Sequence, residues 1–455
     1  MTPTPVANYH PAPFSRKEIV IRRLRELLAK RKLLLILILG IALTIRVGAA
    51  FWWQAGLPDA RSFAYGDSVS YWVLAQHMVR GEPYCYGIDQ SPVFRTPGYP
   101  LLLAGMFCVS GDDPPVIWAR LLGAVFGTAT IGGLICLTGQ LFDSRAALVA
   151  GLLSAVYPGA IGMSVFVLSE SPFCLFMVGQ LICWVKLTRS TERRHEIGWS
   201  VAIGVLAGIA TLIRPSWLLF TPFALGVGLL CGRRARQDAV HAAVILLAIA
   251  VTMSPWWVRN YKVTGGLVAT TLQMGASLYD GLSPTATGAS DMRFVEAFHR
   301  AQLQDDATAT TTPVGTFSQR LDNRMRTAAV NWARAHPGQV VRLMAIKLAR
   351  MWSPWPHAEE MQSWTFRLLV VVGFVPLIGF ALCGAIGNVR RGWPYALCLL
   401  PAVYFSGLHM IFVSSIRYRQ PAMLPLIVLA AAAVCVCLPD RKSANRSDDL
   451  DPITP

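Results

Sequence analysis

Seven charged residues fall near one end of predicted apolar segments, where a membrane chain rarely carries charge. Two are carboxylates and five are guanidinium groups: Asp67, Glu170, Arg95, Arg214, Arg259, Arg417 and Arg419. A carboxylate can accept a proton from a reacting group, and the arginine fork matches the oxygens of phosphates and carboxylates. A charged side chain near an apolar span costs free energy, so it is found mainly where it has a functional role. Their shared placement predicts a polar site at one face of the bilayer.

The composition shows which elements must position these residues. Hydrophobic residues make up 54% of the 455-residue chain, and the mean hydropathy is +0.46. Segments of about 20 apolar residues cross a bilayer core of roughly 30 Å. Ten segments approach this length: 33–53, 115–138, 145–163, 166–187, 198–213, 216–232, 239–257, 365–388, 395–413 and 419–438. The sequence therefore predicts an all-α polytopic membrane protein with about ten transmembrane helices and outer juxtamembrane helices.

The lysines and arginines predict the orientation of the chain. Basic clusters occur at 16–32, 186–194, 233–236, 390–391 and 441–446. Because basic loops stay in the cytoplasm, both termini are expected inside and the loops 54–114 and 258–364 outside. The predicted organisation is a basic cytoplasmic segment 1–32, a membrane domain 33–438, and a cytoplasmic tail 439–455 that we expect to be disordered. The first span is interpreted as an uncleaved anchor, in a multi-pass protein of the cell membrane with its active site on the outer face.

Several function classes are disfavoured by the same sequence. The net charge of +16 is explained by the inner loops, so no nucleic-acid partner is expected. Most of the ten cysteines fall inside predicted spans, and only Cys85 lies clearly in an outer loop, so no disulfide framework is expected. Metal-ligand spacing of the Cys-x-x-Cys type and nucleotide-binding glycine loops are also lacking.

The first outer loop contains an amphipathic segment of about 13 residues that ends near Arg80-Gly81. Asp67 lies at its start, where a helix N-cap is the structural alternative to a catalytic role. Tyr71 lies one turn later, and Tyr99 belongs to a second short helix predicted over 97–109. Arg95 precedes this second helix and could instead contact lipid headgroups.

The remaining charged ends have similar alternatives. Glu170 begins a span and could pair structurally with Arg120 or Arg214. Arg214 stands in a short outer turn, against the charge bias, which favours a phosphate or carboxylate partner. Arg417 and Arg419 precede the last span and could bind such a partner or headgroups. Arg259 follows two tryptophans, a pattern that also fits an aromatic belt with a headgroup anchor.

These residues resemble the GT-C superfamily of membrane glycosyltransferases, and in particular bacterial members of glycosyltransferase family 39, the protein-mannosyltransferase and aminoarabinose-transferase-like proteins. The resemblance is carried in order by Asp67, Tyr71, Ala75, Gly81, Tyr84 and Pro97-Gly98-Tyr99-Pro100, and by the segments around Arg259 and Arg417. It implies a GT-C type fold, with Asp67 as the catalytic carboxylate and Arg95 near the donor phosphate. Glu170 is expected to be the second site carboxylate, and Tyr71, Tyr99, Arg214, Arg259, Arg417 and Arg419 are expected to bind substrate. Ser68 departs from the Asp-Glu pair of eukaryotic protein mannosyltransferases, which leaves the sugar and the acceptor open.

The function implied by the resemblance is transfer of a hexose or pentose from a polyprenyl-phosphate donor to a glycan, lipid or protein acceptor. Asp67 would act as general base. No cofactor is required by this chemistry, although a divalent metal ion stays open. A lipid-linked glycan polymerase or ligase is a close alternative, because the outer loop 282–351 offers His299, His336 and several arginines. A secondary transporter is a more distant one, since its charges would lie near mid-membrane rather than at one edge.

The second outer loop is predicted to contain two amphipathic helices between Phe317 and Met351, broken at Pro337-Gly338. They are expected to cover the site or to rest on the bilayer. The preceding polar stretch, residues 304–316, is expected to be mobile.

Overall fold

Helices account for the regular structure of this protein throughout the part that a computed structural model describes, residues 16–231, 235–311, 313–357 and 363–438. In chain order they are α1 (Arg16–Ala55), α2 (Gly66–Arg80), α3 (Gly98–Ser110), α4 (Ile117–Leu141), α5 (Ser144–Val156), α6 (Pro158–Val165), α7 (Glu170–Arg189), α8 (Arg193–Ile213), α9 (Phe220–Cys231), α10 (Ala235–Thr264), α11 (Met274–Gly281), α12 (Phe294–Thr308), α13 (Phe317–Ala335), α14 (Pro337–Met351), α15 (Trp364–Asn388), α16 (Trp393–Ala396), α17 (Leu400–Ile411) and α18 (Ile416–Cys437). Within these ranges, β pairing is limited to an isolated bridge between Tyr86 and Ser91. The predicted all-α membrane fold is confirmed, as expected for a chain whose backbone must satisfy its own hydrogen bonds in lipid.

Fewer helices than predicted are long enough to span a membrane. In the described part of the chain, seven helices pass this test: α1, α4, α7, α8, α10, α15 and α18. The pair α5 and α6, bent by 57°, makes an eighth if it is counted as one span. The other two predicted segments, 216–232 and 395–413, form helices α9 and α17 of 12 residues each.

Prolines stand at the start of both short segments. Pro215 begins a 3-10 turn, Pro215–Trp217, before α9, and Pro401 stands in the first turn of α17. Proline disfavours helical geometry in the residue before it, and Arg214 accordingly adopts extended backbone geometry ahead of Pro215. The apolar composition predicted these segments correctly, but not their helical length.

The break between α5 and α6 is stabilised by a buried arginine on α1. Tyr157 adopts extended backbone geometry before Pro158, which leaves the last carbonyl groups of α5 without helical partners. Arg46, which is 0% exposed, donates to the carbonyl oxygens of Ser154 at 3.1 Å and Ala155 at 3.2 Å. An arginine within an apolar span thus fixes the direction of α6.

The last span lies at the centre of the bundle. In its most apolar 18-residue stretch, 72% of α18 is buried, against 22% for α1 and for α10. It packs against α15, α5 and α17, and its first turn lies at the same end of the bundle as the first turn of α7. This central position brings Arg417 close to residues from distant parts of the chain.

The two loops predicted to lie outside fold into short helices, as expected. α2 and α3 belong to the first of these loops and pack against each other. α13 and α14 meet at His336-Pro337, in agreement with the predicted break. The stretch 304–316 was expected to be mobile. Its first part, residues 304–308, instead forms the end of α12. Their Asp306 pairs with Arg320 on α13, which gives this polar turn a partner.

Two predicted segments lie wholly or partly outside the described residues. The tail 439–455 is outside them, and so is the first part of the basic segment 1–32.

Candidate functional site

Asp67 lies in the first turn of α2 and forms an ion pair with Arg95. Its Oδ1 is 2.7 Å from Nη2 of Arg95, whose Nε donates to Ser70 Oγ at 3.0 Å. The N-cap position belongs to Tyr65 rather than Asp67, and no side chain caps this end. The N-cap alternative therefore does not describe Asp67, which instead faces a guanidinium group.

Arg417 joins Asp67 to the second carboxylate. Its Nη1 lies 3.1 Å from Asp67 Oδ2, and its Nε donates to Glu170 Oε1 at 2.5 Å. Ser415 caps α18 and accepts from the backbone N–H of Arg417, which orients the first turn of this helix. Glu170 is only 1% exposed and also contacts Arg214, at 3.0 Å from Nη1. Arg120 and Arg214 were the two structural partners expected for Glu170, and the structure shows the ion pair with Arg214.

The five groups form a chain of alternating charge, in the order Arg95, Asp67, Arg417, Glu170 and Arg214. Three cations and two anions leave one net positive charge. Buried ions are tolerated when each has an opposite partner and hydrogen bonds. The second oxygen of Glu170, Oε2, is buried and has no hydrogen-bond partner among the described residues.

The two arginines control the ionisation of Asp67. Burial alone would raise its pKa, but the charges of Arg95 and Arg417 and their hydrogen bonds outweigh burial and lower the pKa to about 2. Burial likewise opposes the charge of Arg95, yet Tyr71 and Asp67 hold its pKa above the ordinary value. Asp67 is therefore a carboxylate at neutral pH, and its side chain is 38% exposed.

Tyr71 and Tyr99 form the wall behind this ion pair. Their rings are in edge-to-face contact with centroids 5.0 Å apart, and the Arg95 guanidinium lies 5.0 Å from the Tyr71 ring. Tyr71 Oη is 3.5 Å from Ser169 Oγ, next to Glu170. Tyr71 therefore lies next to the charged groups, and Tyr99 packs behind it.

Two of the predicted arginines lie outside the charge chain. Arg259 donates to the carbonyl oxygens of Pro92 at 2.8 Å and Tyr84 at 3.1 Å, and so ties the first outer loop to α10. Arg419 donates to the carbonyl oxygens of Met351, at 3.1 Å, and Ser353. The structure places both on backbone carbonyls, where they hold outer segments in position.

An apolar cavity of about 450 Å³ ends at the charged groups. Its walls come from the end of α1, from α6 and from α15, and include Trp52, Trp53, Ile161, Leu369 and Phe374. Its polar end is lined by Tyr65, Glu170, Ser414, Ser415 and Arg417. Asp67 and Arg95 do not line this cavity, so Arg417 stands between the cavity and the exposed side of Asp67.

The carboxylates do not form a separate metal-ligand cluster. Over the described ranges, no group of three or more His, Cys, Asp or Glu side chains is close enough to hold a metal ion. Both site carboxylates contact the guanidinium of Arg417, which already supplies a cation between them.

Sequence reasoning missed the positions of three charged residues, Arg46, Lys347 and Arg350, and it expected a different partner for Arg120. Arg46 braces the break before α6, and Arg120 donates to the carbonyl of Val165 at 2.9 Å, at the other end of the same helix. Lys347 and Arg350 lie on α14 near the mouth of the cavity. A charged residue within the first apolar span was a usable signal for Arg46, whereas Lys347 looked like one more residue of an amphipathic helix.

Comparisons with known proteins agree with this architecture. Residues 94–258 match the sequence profile of the family described as dolichyl-phosphate-mannose-protein mannosyltransferase. The matched range includes Arg95, Tyr99, Glu170 and Arg214. No curated protein shows significant sequence similarity to the chain.

Solved structures with a similar fold include an archaeal oligosaccharyltransferase. The oligosaccharyltransferase AglB of Archaeoglobus fulgidus, in complex with an inhibitory peptide and a dolichol-phosphate, is 15% identical and superposes with a TM-score of 0.55 over 93% of this chain. The apo form of the Archaeoglobus fulgidus oligosaccharyltransferase is 16% identical and superposes with a TM-score of 0.53 over 92% of this chain. ArnT from Cupriavidus metallidurans bound to undecaprenyl phosphate is 16% identical, with a TM-score of 0.45 over 92% of this chain and 81% of its own length.

The chain spans about half the length of the oligosaccharyltransferases, 52% and 53%. The fold is that of GT-C glycosyltransferases, and the resemblance stated from the sequence is confirmed.

Proposed function

We propose that the protein is an integral membrane glycosyltransferase that moves a sugar from a polyprenyl-phosphate donor to an acceptor at the outer face of the cell membrane. One observation carries the proposal: an apolar cavity of about 450 Å³ ends at Arg417 and Glu170, two members of the chain of alternating charge that continues to Asp67. An acyl or prenyl chain fits the apolar walls, and a phosphate fits the polar end. The dolichol-phosphate in the AglB structure supports the same class of donor.

The proposed reaction is a single displacement with inversion. The acceptor oxygen or nitrogen attacks the anomeric carbon, and the bond from that carbon to the phosphate oxygen breaks. The electron pair leaves with the polyprenyl phosphate, whose developing charge is stabilised by arginine rather than by a strong acid. The proton of the acceptor passes to a carboxylate oxygen of Asp67.

Donor binding would also make Asp67 a better base. With a pKa of about 2, the free carboxylate is a weak proton acceptor. A donor phosphate competes with Asp67 for Arg417, because both anions prefer the same guanidinium donors. Loss of that contact raises the basicity of Asp67 when the acceptor has to be deprotonated.

Glu170 has a different role in this scheme. It is buried and paired with two arginines, so it stays ionised and holds Arg417 in place. Glu170 also lines the polar end of the cavity, where we place the sugar phosphate. Tyr71 and Tyr99 support Arg95, on the exposed side from which we expect the acceptor to approach.

Two observations argue against the alternative functions considered from the sequence, a glycan polymerase or ligase and a transporter. In a lipid-linked glycan polymerase or ligase, outer histidines would face the site, but His299 packs on Phe317 and His336 stacks on Trp332. A transporter would place its charges near mid-membrane, whereas the alternating charges lie at the first turns of α2, α7 and α18.

The proposal is tested by transfer from a labelled polyprenyl-phosphate sugar in membranes that contain the full chain. A deletion strain identifies the acceptor, because the unmodified glycan, lipid or protein accumulates. We expect Asp67→Asn to insert and fold normally but to lose transfer by at least about a hundredfold, the range of general-base catalysis. Asp112→Asn, which alters an exposed aspartate paired with Arg80, is the matched control and should retain activity. Normal turnover by Asp67→Asn would reject Asp67 as the base, and loss of solute uptake with intact surface glycans would favour a transporter.

A further inference from the structure

Arg350 lies in the last turn of α14 and lines the apolar cavity, although it belongs to no sequence motif. Two other cations fix the helix end that carries it. Lys347, which is fully buried, donates to the carbonyl oxygens of Gly281 at 2.8 Å and Ile411 at 2.7 Å. Arg419 donates to the carbonyl of Met351, the residue after Arg350. The backbone of Arg350 is thus tied to the bundle on both sides.

The side chain of Arg350 has no acceptor among the described residues. Its Nε is buried without a hydrogen-bond partner, and no carboxylate in the described ranges forms an ion pair with it. By contrast, Arg95, Arg214 and Arg417 each contact Asp67 or Glu170. A buried guanidinium donor without an acceptor costs free energy unless a ligand supplies one.

Ser414 provides a second unused donor on the same cavity wall. It is 2% exposed, its Oγ has no hydrogen-bond partner, and it lines the cavity. Gly288 places the two side chains near each other. The backbone N–H of Ser414 donates to the carbonyl of Gly288 at 2.9 Å, and a Cβ on Gly288 would lie 3.4 Å from Cδ of Arg350.

We propose that Arg350, assisted by the hydroxyl group of Ser414, binds the phosphate of the polyprenyl carrier. Two hydrogen-bond donors without acceptors, one of them a permanent cation, are complementary to phosphate oxygens at the end of an apolar cavity. This inference rests on the proposed function and assigns different roles to Arg350 and Arg417. Arg350 anchors the carrier before and after transfer, whereas Arg417, already shared by two carboxylates, meets the leaving oxygen during transfer.

The test compares binding of a short polyprenyl monophosphate with that of the polyprenol of equal length, using the purified full chain in uncharged maltoside micelles. Wild-type protein should bind the phosphate at least about tenfold more tightly than the alcohol, as a charge-assisted hydrogen bond provides. Arg350→Gln should remove most of this preference and leave the affinity for the alcohol unchanged. Arg350→Lys should retain part of it, and Ser414→Ala should reduce it less than Arg350→Gln does.

Arg342→Gln is the matched control, because Arg342 is an exposed arginine on the same helix that does not line the cavity. In transfer assays, Arg350→Gln should raise KM for the donor about tenfold with little change in kcat, a split that general misfolding does not produce. An unchanged preference for phosphate in Arg350→Gln, or an equal loss in Arg342→Gln, would overturn the inference and leave the glycosyltransferase proposal standing. If wild-type protein itself does not distinguish phosphate from alcohol, both proposals fail. If phosphatidylglycerol competes as well as the polyprenyl phosphate, the site binds ordinary headgroups and the carrier assignment is wrong.

Discussion

Arg417, in the first turn of α18, lies 2.5 Å from Glu170, in the first turn of α7 and 247 residues earlier in the chain. The contact joins two spans at their ends and continues to Asp67 on an outer helix. A single guanidinium group therefore couples the buried carboxylate to the exposed one, and disturbing either pair should affect the other.

Removing one partner of this buried pair should be more harmful than removing both. Glu170→Gln leaves Arg417 and Arg214 close together without their shared anion, and we expect a loss of roughly 3–5 kcal/mol of stability. In Glu170→Gln/Arg417→Gln the uncompensated charge is smaller, so thermal stability in detergent should partly recover while transfer stays absent. Additive losses of stability in the double variant would show that the two residues do not depend on each other.

The pH dependence should differ between kcat/KM and kcat. The pKa of Asp67 in the free protein is lowered to about 2, so the carboxylate is ionised at every pH well above that value. Activity that needs the ionised form is lost only as pH falls through the pKa, and kcat/KM, which reports the free enzyme, should show no acid limb from Asp67 above about pH 4. If the donor phosphate draws Arg417 away, the acid limb of kcat should lie at higher pH. Coincident acid limbs would mean that Asp67 keeps both arginines in the complex.

Arg259→Gln should loosen the first outer loop rather than abolish the chemistry directly. The arginine donates to the carbonyls of Pro92 and Tyr84, and losing hydrogen bonds of a charged group costs about 1.5–3 kcal/mol. Limited proteolysis should then cut between residues 82 and 94 faster than in wild type. Arg80→Gln, which removes an exposed ion pair with Asp112, serves as control and should leave the cleavage rate unchanged.

The proposed sidedness predicts a labelling pattern with a membrane-impermeant thiol reagent. In a cysteine-free background, Glu82→Cys in the loop after α2 should react in intact cells, whereas Arg194→Cys in the first turn of α8 should react only after the membrane is opened. Both side chains are exposed, so accessibility depends on the side of the membrane alone. The reverse pattern would place the site in the cytosol and end the proposal of an outer active site.

Sequence patterns could predict the helical fold and most of the charged residues because both depend on local chemistry. Apolar runs show where helices lie, and a carboxylate at a span end, such as Glu170, is unusual enough to notice. The partner of each charge could not be predicted, since Glu170 meets both Arg214 and Arg417, and only packing brings the latter near. Arg259 and Arg350 illustrate the same limit. One fitted a substrate role but binds backbone carbonyls, and the other carried no motif yet faces the cavity without an acceptor.

The order of the residues along the chain affects how the protein can be made. Glu170 enters the membrane well before Arg417 has been synthesised, but Arg214 follows it by 44 residues, at the end of the next span. During synthesis this neighbour can shield the carboxylate from lipid. Asp67 and Glu170 gain their common cation only once α18 has been inserted, so the chain of alternating charge is completed by the last span to be synthesised.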